Sequence, residues 1–329
     1  MTRLLSLTSL ALVSLLSTAA AEPRSWTASK AVLPDQVTVV AGASLSAMRA
    51  TQLYQTIVPP LIAKESDAKR AFELARSTCS IDLHAAIDDA TFAVGADERG
   101  VVVLGLARGM DQKRIVDCLN RIVAKQAKDR QATTAPAPGR KGGAKAKQPA
   151  TTAPKITVTT SGRIAEYSMT GETDKLYLAW LAPDVVAIAT DPEDRALLER
   201  MTSGNGARGN LAGVLGKVNT NATVWFTTTK QTPVQATGAT TKALYGTIET
   251  TGGQVKVDTH AIMGSAKEAK KLVDDATALL GAMKSQVPPM FIKAVDSLKM
   301  VAVGEDATMK FGMSEKDLIS LIALVLPNL

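Results

Sequence analysis

Aromatic side chains are scarce in this chain, at 4% of 329 residues, and histidine occurs only as His84 and His260. Each scarcity excludes something. Single-strand nucleic-acid binders stack bases on aromatic platforms set among cations, and such platforms are missing here. Two distant histidines with two cysteines, Cys79 and Cys118, cannot build the closed Cys/His sites that hold zinc. No C-x-x-C spacing occurs, which argues against thiol redox chemistry. No loop carries the Asp-x-Asp-x-Asp-Gly alternation of a calcium site, so Asp82, Asp88, Asp89, Asp274 and Asp275 read as helix ends and exposed faces.

Two motif-like spellings fail on their context. Gly204-x-Gly206-x-x-Gly209 has the letters of a dinucleotide fingerprint, but a helix precedes it where a strand is needed, so it reads as a glycine-rich joint. Gly42-Ala-Ser44-Leu-Ser46 sits at a strand-to-helix transition, where hydrolases carry G-x-S-x-G. The closing glycine is absent, and Ser44 is explained as a helix cap. His260 belongs to an alternating strand whose Lys256–Asp258–His260 face reads as solvated; His84 lies between a helix and a strand. They are the only imidazole bases a hydrolase could use. No catalytic, metal-binding or cofactor-binding residue is assigned, and no cofactor is expected.

What is present begins with Arg3, an apolar run from Leu4 to Ala19, and small residues before Glu22-Pro23. That is the pattern of a secretory signal peptide cut after Ala21. The run is shorter than the ~20 residues of a membrane span, and no later run approaches that length. The expected compartment is the bacterial periplasm or beyond. There a lone cysteine pair defaults to a disulfide. Cys79 falls with Phe72 and Ala75, and Cys118 with Ile115, Leu119 and Ile122, on apolar helix faces, so the two can meet over one sheet.

The net charge is +7, and eight basic residues with one acid between Lys125 and Lys155 supply all of it. The remainder is close to neutral, so the charge describes one segment and gives no basic surface for nucleic acid. Residues 127–154 hold Ala, Pro, Gly, Thr, Lys and Gln without one Leu, Ile, Val or aromatic. A segment of that kind cannot offset its ordering entropy and reads as disordered.

Elsewhere a hairpin followed by an amphipathic helix recurs four times, at 91–127, 175–201, 242–283 and 298–326. Lone strands at Val37–Ala43 and Ala222–Thr228 precede the first and third. This predicts an α+β fold of antiparallel sheets covered by helices, in two pseudo-equivalent lobes, 22–203 and 204–329. Pro59-Pro60 is expected to end the helix after the first strand. The terminal LISLIALVL run is apolar almost all round and is expected to sink between the lobes. The functional expectation is an exported, non-enzymatic binding or scaffold protein of the cell envelope, with an envelope component or a protein as partner. A periplasmic carrier of an apolar ligand stands second, and a hydrolase third.

Overall fold

The computed structural model describes residues 22–134, 156–169, 175–204, 206, 209–234, 239–287 and 292–325. The first half runs α1 (Arg24–Lys30), β1 (Val37–Ser44), α2 (Leu45–Arg49), α3 (Gln52–Lys64), α4 (Ser66–Cys79) and α5 (Leu83–Ala86). The hairpin β2–β3 (Ile87–Gly95, Gly100–Leu106) and α6 (Gln112–Thr134) follow. Next come β4 (Ile156–Ser161), β5 (Ile164–Met169), β6 (Lys175–Ala182), β7 (Val185–Ala189) and α7 (Arg195–Ser203). The second half runs α8 (Gly209–Leu215), β8 (Val224–Thr228), a small β9–β10 hairpin (Thr232–Val234, Ala239–Thr241), and β11–β12 (Ala243–Thr251, Gln254–Ile262). It closes with α9 (Ala266–Met283), α10 (Ile292–Ser297), β13–β14 (Lys299–Val303, Asp306–Ser314) and α11 (Glu315–Val325).

The fold is α+β. Its main strands, however, form one sheet of twelve, in the order β13-β14-β12-β11-β8-β1-β2-β3-β7-β6-β5-β4. The two lone strands join the halves: β1 pairs β2 on one side and β8 on the other, both antiparallel. An unpaired strand edge leaves its N–H and C=O groups without partners, and the β1–β8 pairing removes two such edges at once. Outward from that pair the sheet runs β1-β2-β3-β7-β6 on one side and β8-β11-β12-β14-β13 on the other, and the first side alone adds the β4–β5 hairpin beyond β6. Gly252 and Gly253, at φ 60° and 74°, make the β11–β12 turn, a left-handed conformation open to glycine at little cost.

Helices cover both faces unevenly. On one face, α1, α7 and α8 bury Trp26, Val40, Val103, Tyr177, Leu197, Met201 and Trp225. On the other, α4 and α6 pack over Leu106, Leu178 and Val186, and α9 sets Leu272 and Val273 against Ala261, Ala302 and Ala307.

Four elements depart from the sequence expectation. Residues 22–35, which read in the sequence as a polar, proline-bearing lead-in, contain α1, whose Ser25, Trp26 and Ser29 are buried. Trp26 gains the edge of Trp225 at 4.8 Å between ring centroids, a contact no local pattern announces. Helix α3 continues through Pro59 and Pro60. The N–H groups they lack would have met Gln55 and Thr56, both exposed, so water can serve those carbonyls. Helix α6 extends to Thr134, because Ala, Lys, Gln and Arg are good helix formers; the tract from 135 to 155 lies outside the described residues. In α11, Leu318, Ile319, Leu321 and Ile322 are each half-buried. That short helix rests on α3 and on the ends of β12 and β14, so part of its circumference stays open.

Candidate functional site

The centre of the α6 face carries an apolar strip that no helix among the described residues covers fully. Directly opposed partners place Phe226, Ala41, Phe92 and Val102 in one row across β8, β1, β2 and β3. Phe92 is 43% exposed, although it stands on a central strand. Val39, Ala41, Val94, Val102 and Phe226 around it are all half-buried. The two rings rest over glycines of outer neighbouring strands, Phe92 over Gly100 and Phe226 over Gly246. Both therefore lean away from Ala41, leaving it as the floor of a shallow apolar trough between two phenyl walls.

The other face is open over the C-terminal strands, where Val301 and Val303 are 53% and 71% exposed. Here three strands bring a polar network together. His260 lies flat on Tyr245, with centroids 4.5 Å apart and planes 6° apart. Its Nδ1 is 2.9 Å from Asp306 Oδ2 and 3.3 Å from Thr308 Oγ1, and its Nε2 is 3.2 Å from Asp258 Oδ1. Tyr245 donates to Asp306 at 3.2 Å, and Lys310 pairs with Asp258 at 2.8 Å. Burial first, then the charge of Asp306 and the bond to it, push the Tyr245 pKa up to about 12. Both imidazole nitrogens thus face carboxylates, Asp306 at Nδ1 and Asp258 at Nε2, and Thr308 shares Nδ1 with Asp306.

Beside the network, and sharing Asp258 and Lys310 with it, lies a pocket of about 430 Å³. Its wall residues Thr247, Glu249, Lys256 and Lys299 stand on the same face by register, and Gly312 lies between them.

The residues singled out in the sequence are dispersed. Cys79 and Cys118 are joined by a disulfide that ties α4 to α6. His84 accepts or donates at 3.0 Å with the Tyr54 hydroxyl and lies against Phe72, far in sequence and topology from His260. Ser44 caps α2 by accepting from Ala47 N–H. Gly204 follows α7 and packs on Val32, so it ends a helix. Asp82 caps α5, Asp88 pairs with Arg24 and Arg49, and Asp89 is buried and accepts from Ser25 N–H at 2.7 Å. Asp274 and Asp275 pair with Lys270 and Lys271 along α9. Among the described residues, no three His, Cys, Asp or Glu side chains stand close enough to hold a metal ion. No helix among them is long and apolar enough to cross a membrane. Sequence reasoning missed Tyr245, Asp306, Thr308 and the trough. Only the alternation Lys256–Asp258–His260 hinted at the first group, and an exposed Phe has no signature at all.

Fold and faces together define a class: an α+β protein with one wide antiparallel sheet, helices on both sides and two incompletely covered faces. No family model matches the chain, and no curated protein sequence does. Among solved structures it is similar to TP0453. Crystal form III of that protein matches at 8% identity and a TM-score of 0.48, over 89% of this chain and 97% of that one. Crystal form I matches at 10% identity and 0.47, over 93% and 98%.

Proposed function

We propose that the protein is an exported, non-enzymatic binding protein of the bacterial cell envelope, and that the apolar trough is where it binds. The signal-peptide pattern supports export, and the Cys79–Cys118 bond suits an oxidising compartment. The observation that carries the binding role is Phe92, a large aromatic left 43% exposed in the middle of a twelve-stranded sheet. Central strands otherwise bury such side chains, and apolar area left in water marks a contact surface.

The same trough favours a carrier of an apolar ligand as second reading, since two phenyl walls over an alanine floor suit a slender apolar molecule. Native mass spectrometry of the protein secreted from a bacterial host separates the two. A ligand of fixed small mass, lost in Phe92→Asp, identifies a carrier. A protein partner lost in the same variant identifies a scaffold. Protein that leaves the host alone, and whose Phe92→Asp variant keeps every association of the wild type with the envelope fraction, would sink both readings.

A further inference from the structure

The pocket on the opposite face has features that the trough-based function does not use. Lys299 and Lys310 are directly opposed on β13 and β14, and Lys256 stands one strand further on the same face. All three are exposed. Like charges placed opposite one another on a sheet destabilise it, so this arrangement opposes folding unless something offsets it. Asp258 offsets Lys310. Neither Lys256 nor Lys299 has an ion pair among the described residues.

Gly312 is the second feature. Its backbone is in the ordinary extended region, and a Cβ there would meet only Val255 O at 3.5 Å and Lys256 Cγ at 3.9 Å. The fold would accept a side chain, yet a glycine weakens the strand and leaves a depression opposite Lys256 and two residues along the strand from Lys310. Ser297 shapes the edge of that depression. Its hydroxyl accepts from Gly312 N–H at 3.1 Å and lies 2.8 Å from Gly312 O, so it is engaged with backbone.

The geometry points to a binding site for a phosphate ester in this pocket, with the ammonium groups of Lys256, Lys299 and Lys310 converging on the phosphate above Gly312. Lysine binds phosphate as a point charge without demanding one bond geometry, and the cations lining this pocket are all lysines. Its 430 Å³ is in the range of about 300–1,000 Å³ typical of small-molecule sites, so there is room for an organic body as well as the phosphate. Glu249, directly opposite Lys256 on β11, and Asp258, paired with Lys310, also line the pocket; they would repel a second anionic group and restrict the ligand to one phosphate end.

The test is lysine acetylation of the full chain, read residue by residue by mass spectrometry, with glycerol phosphate or with phosphatidylglycerol–phosphatidylcholine vesicles as probe. Slower acetylation of Lys256, Lys299 and Lys310, with Lys230 unchanged, is expected. Protection by glycerol phosphate in solution assigns a free ester; protection on vesicles alone assigns a headgroup. Gly312→Val fills the floor without altering charge and should abolish protection at a melting temperature no lower than wild type. Lys299→Gln should weaken glycerol-phosphate or vesicle binding roughly tenfold, the worth of one charge-assisted hydrogen bond. Equal protection of all surface lysines, wild-type protection in Gly312→Val, or none with either probe would overturn the site. The trough-based function is unaffected by that result, because it rests on the opposite face.

Discussion

The hydroxyl of Tyr245 donates to Asp306 while its ring lies on His260, so ionising it means placing a phenolate beside a carboxylate. Burial first, and that carboxylate after it, raise its pKa to about 12, above the ordinary 10. A tyrosine whose pKa is raised by folding contributes stability that is fully present below pH 10 and is lost as pH rises through 12. The ultraviolet titration of the folded protein should therefore show a late phenolate step near pH 12 that Tyr245→Phe removes. A wild-type curve complete by pH 11, with the fold intact, would contradict this. Some of the network was legible: the alternation in QVKVDTHAI puts Lys256, Asp258 and His260 on one face. The rest was not, because Tyr245, Asp306 and Thr308 arrive from neighbouring strands. Their register is set by turn geometry and by which hairpin lies beside which, and residue types do not encode it.

At the scale of elements, Glu315 is the informative case. It opens α11, is 4% exposed, and accepts at 3.0 Å from the backbone N–H of Leu53 in the first turn of α3. One carboxylate thereby satisfies an orphan donor of a helix 262 residues away in sequence and favours the positive end of its dipole. Glu315→Ala should cost about 1–3 kcal/mol, the range for leaving a buried donor unmet, with Glu315→Gln milder. Equal melting temperatures for Glu315→Ala and wild type would rule the cap out. Because Leu321 is half-buried, Leu321→Asp is expected to destabilise less than a charge placed in a full core. In the structure Ser314 caps α11 by accepting from Asp317 N–H. The sequence showed α11 as an apolar helix. It could not show that α3 would be its partner, since both are apolar stretches without complementary marks. The disulfide is another element-scale tie. It closes a loop of 39 residues around the β2–β3 hairpin, which in the chain-entropy model stabilises the fold by about 4 kcal/mol. Urea unfolding with and without reductant should show a midpoint shift that, multiplied by the m-value, equals that free energy, and coincident curves would refute it.

At the scale of the whole molecule, the hairpins and their helices could be read locally, but the union of the halves could not. The strands Val37–Ala43 and Ala222–Thr228 each read as a lone strand, and nothing in either names the other. Their pairing depends on a close approach: Gly42 lies opposite Trp225, and a Cβ on Gly42 would overlap the indole ring. Trp225 is fully buried there and meets the edge of Trp26, so a residue of α1 and one of β8 close over a glycine of β1. Gly42→Ala must push the indole out of its site or part the two strands. Either displaces a large core side chain, and overpacking of this kind typically costs about 1–3 kcal/mol. Since β1 supports both halves through its two edges, the loss should appear throughout the sheet. Wild type and Gly42→Ala are each expected to melt in one calorimetric transition, the variant at lower temperature. Hydrogen exchange should quicken in β2 and β11 alike. A variant that exchanges faster only in β8 and β11, with β2 and β3 unchanged, would show that the halves are stabilised separately despite their shared sheet.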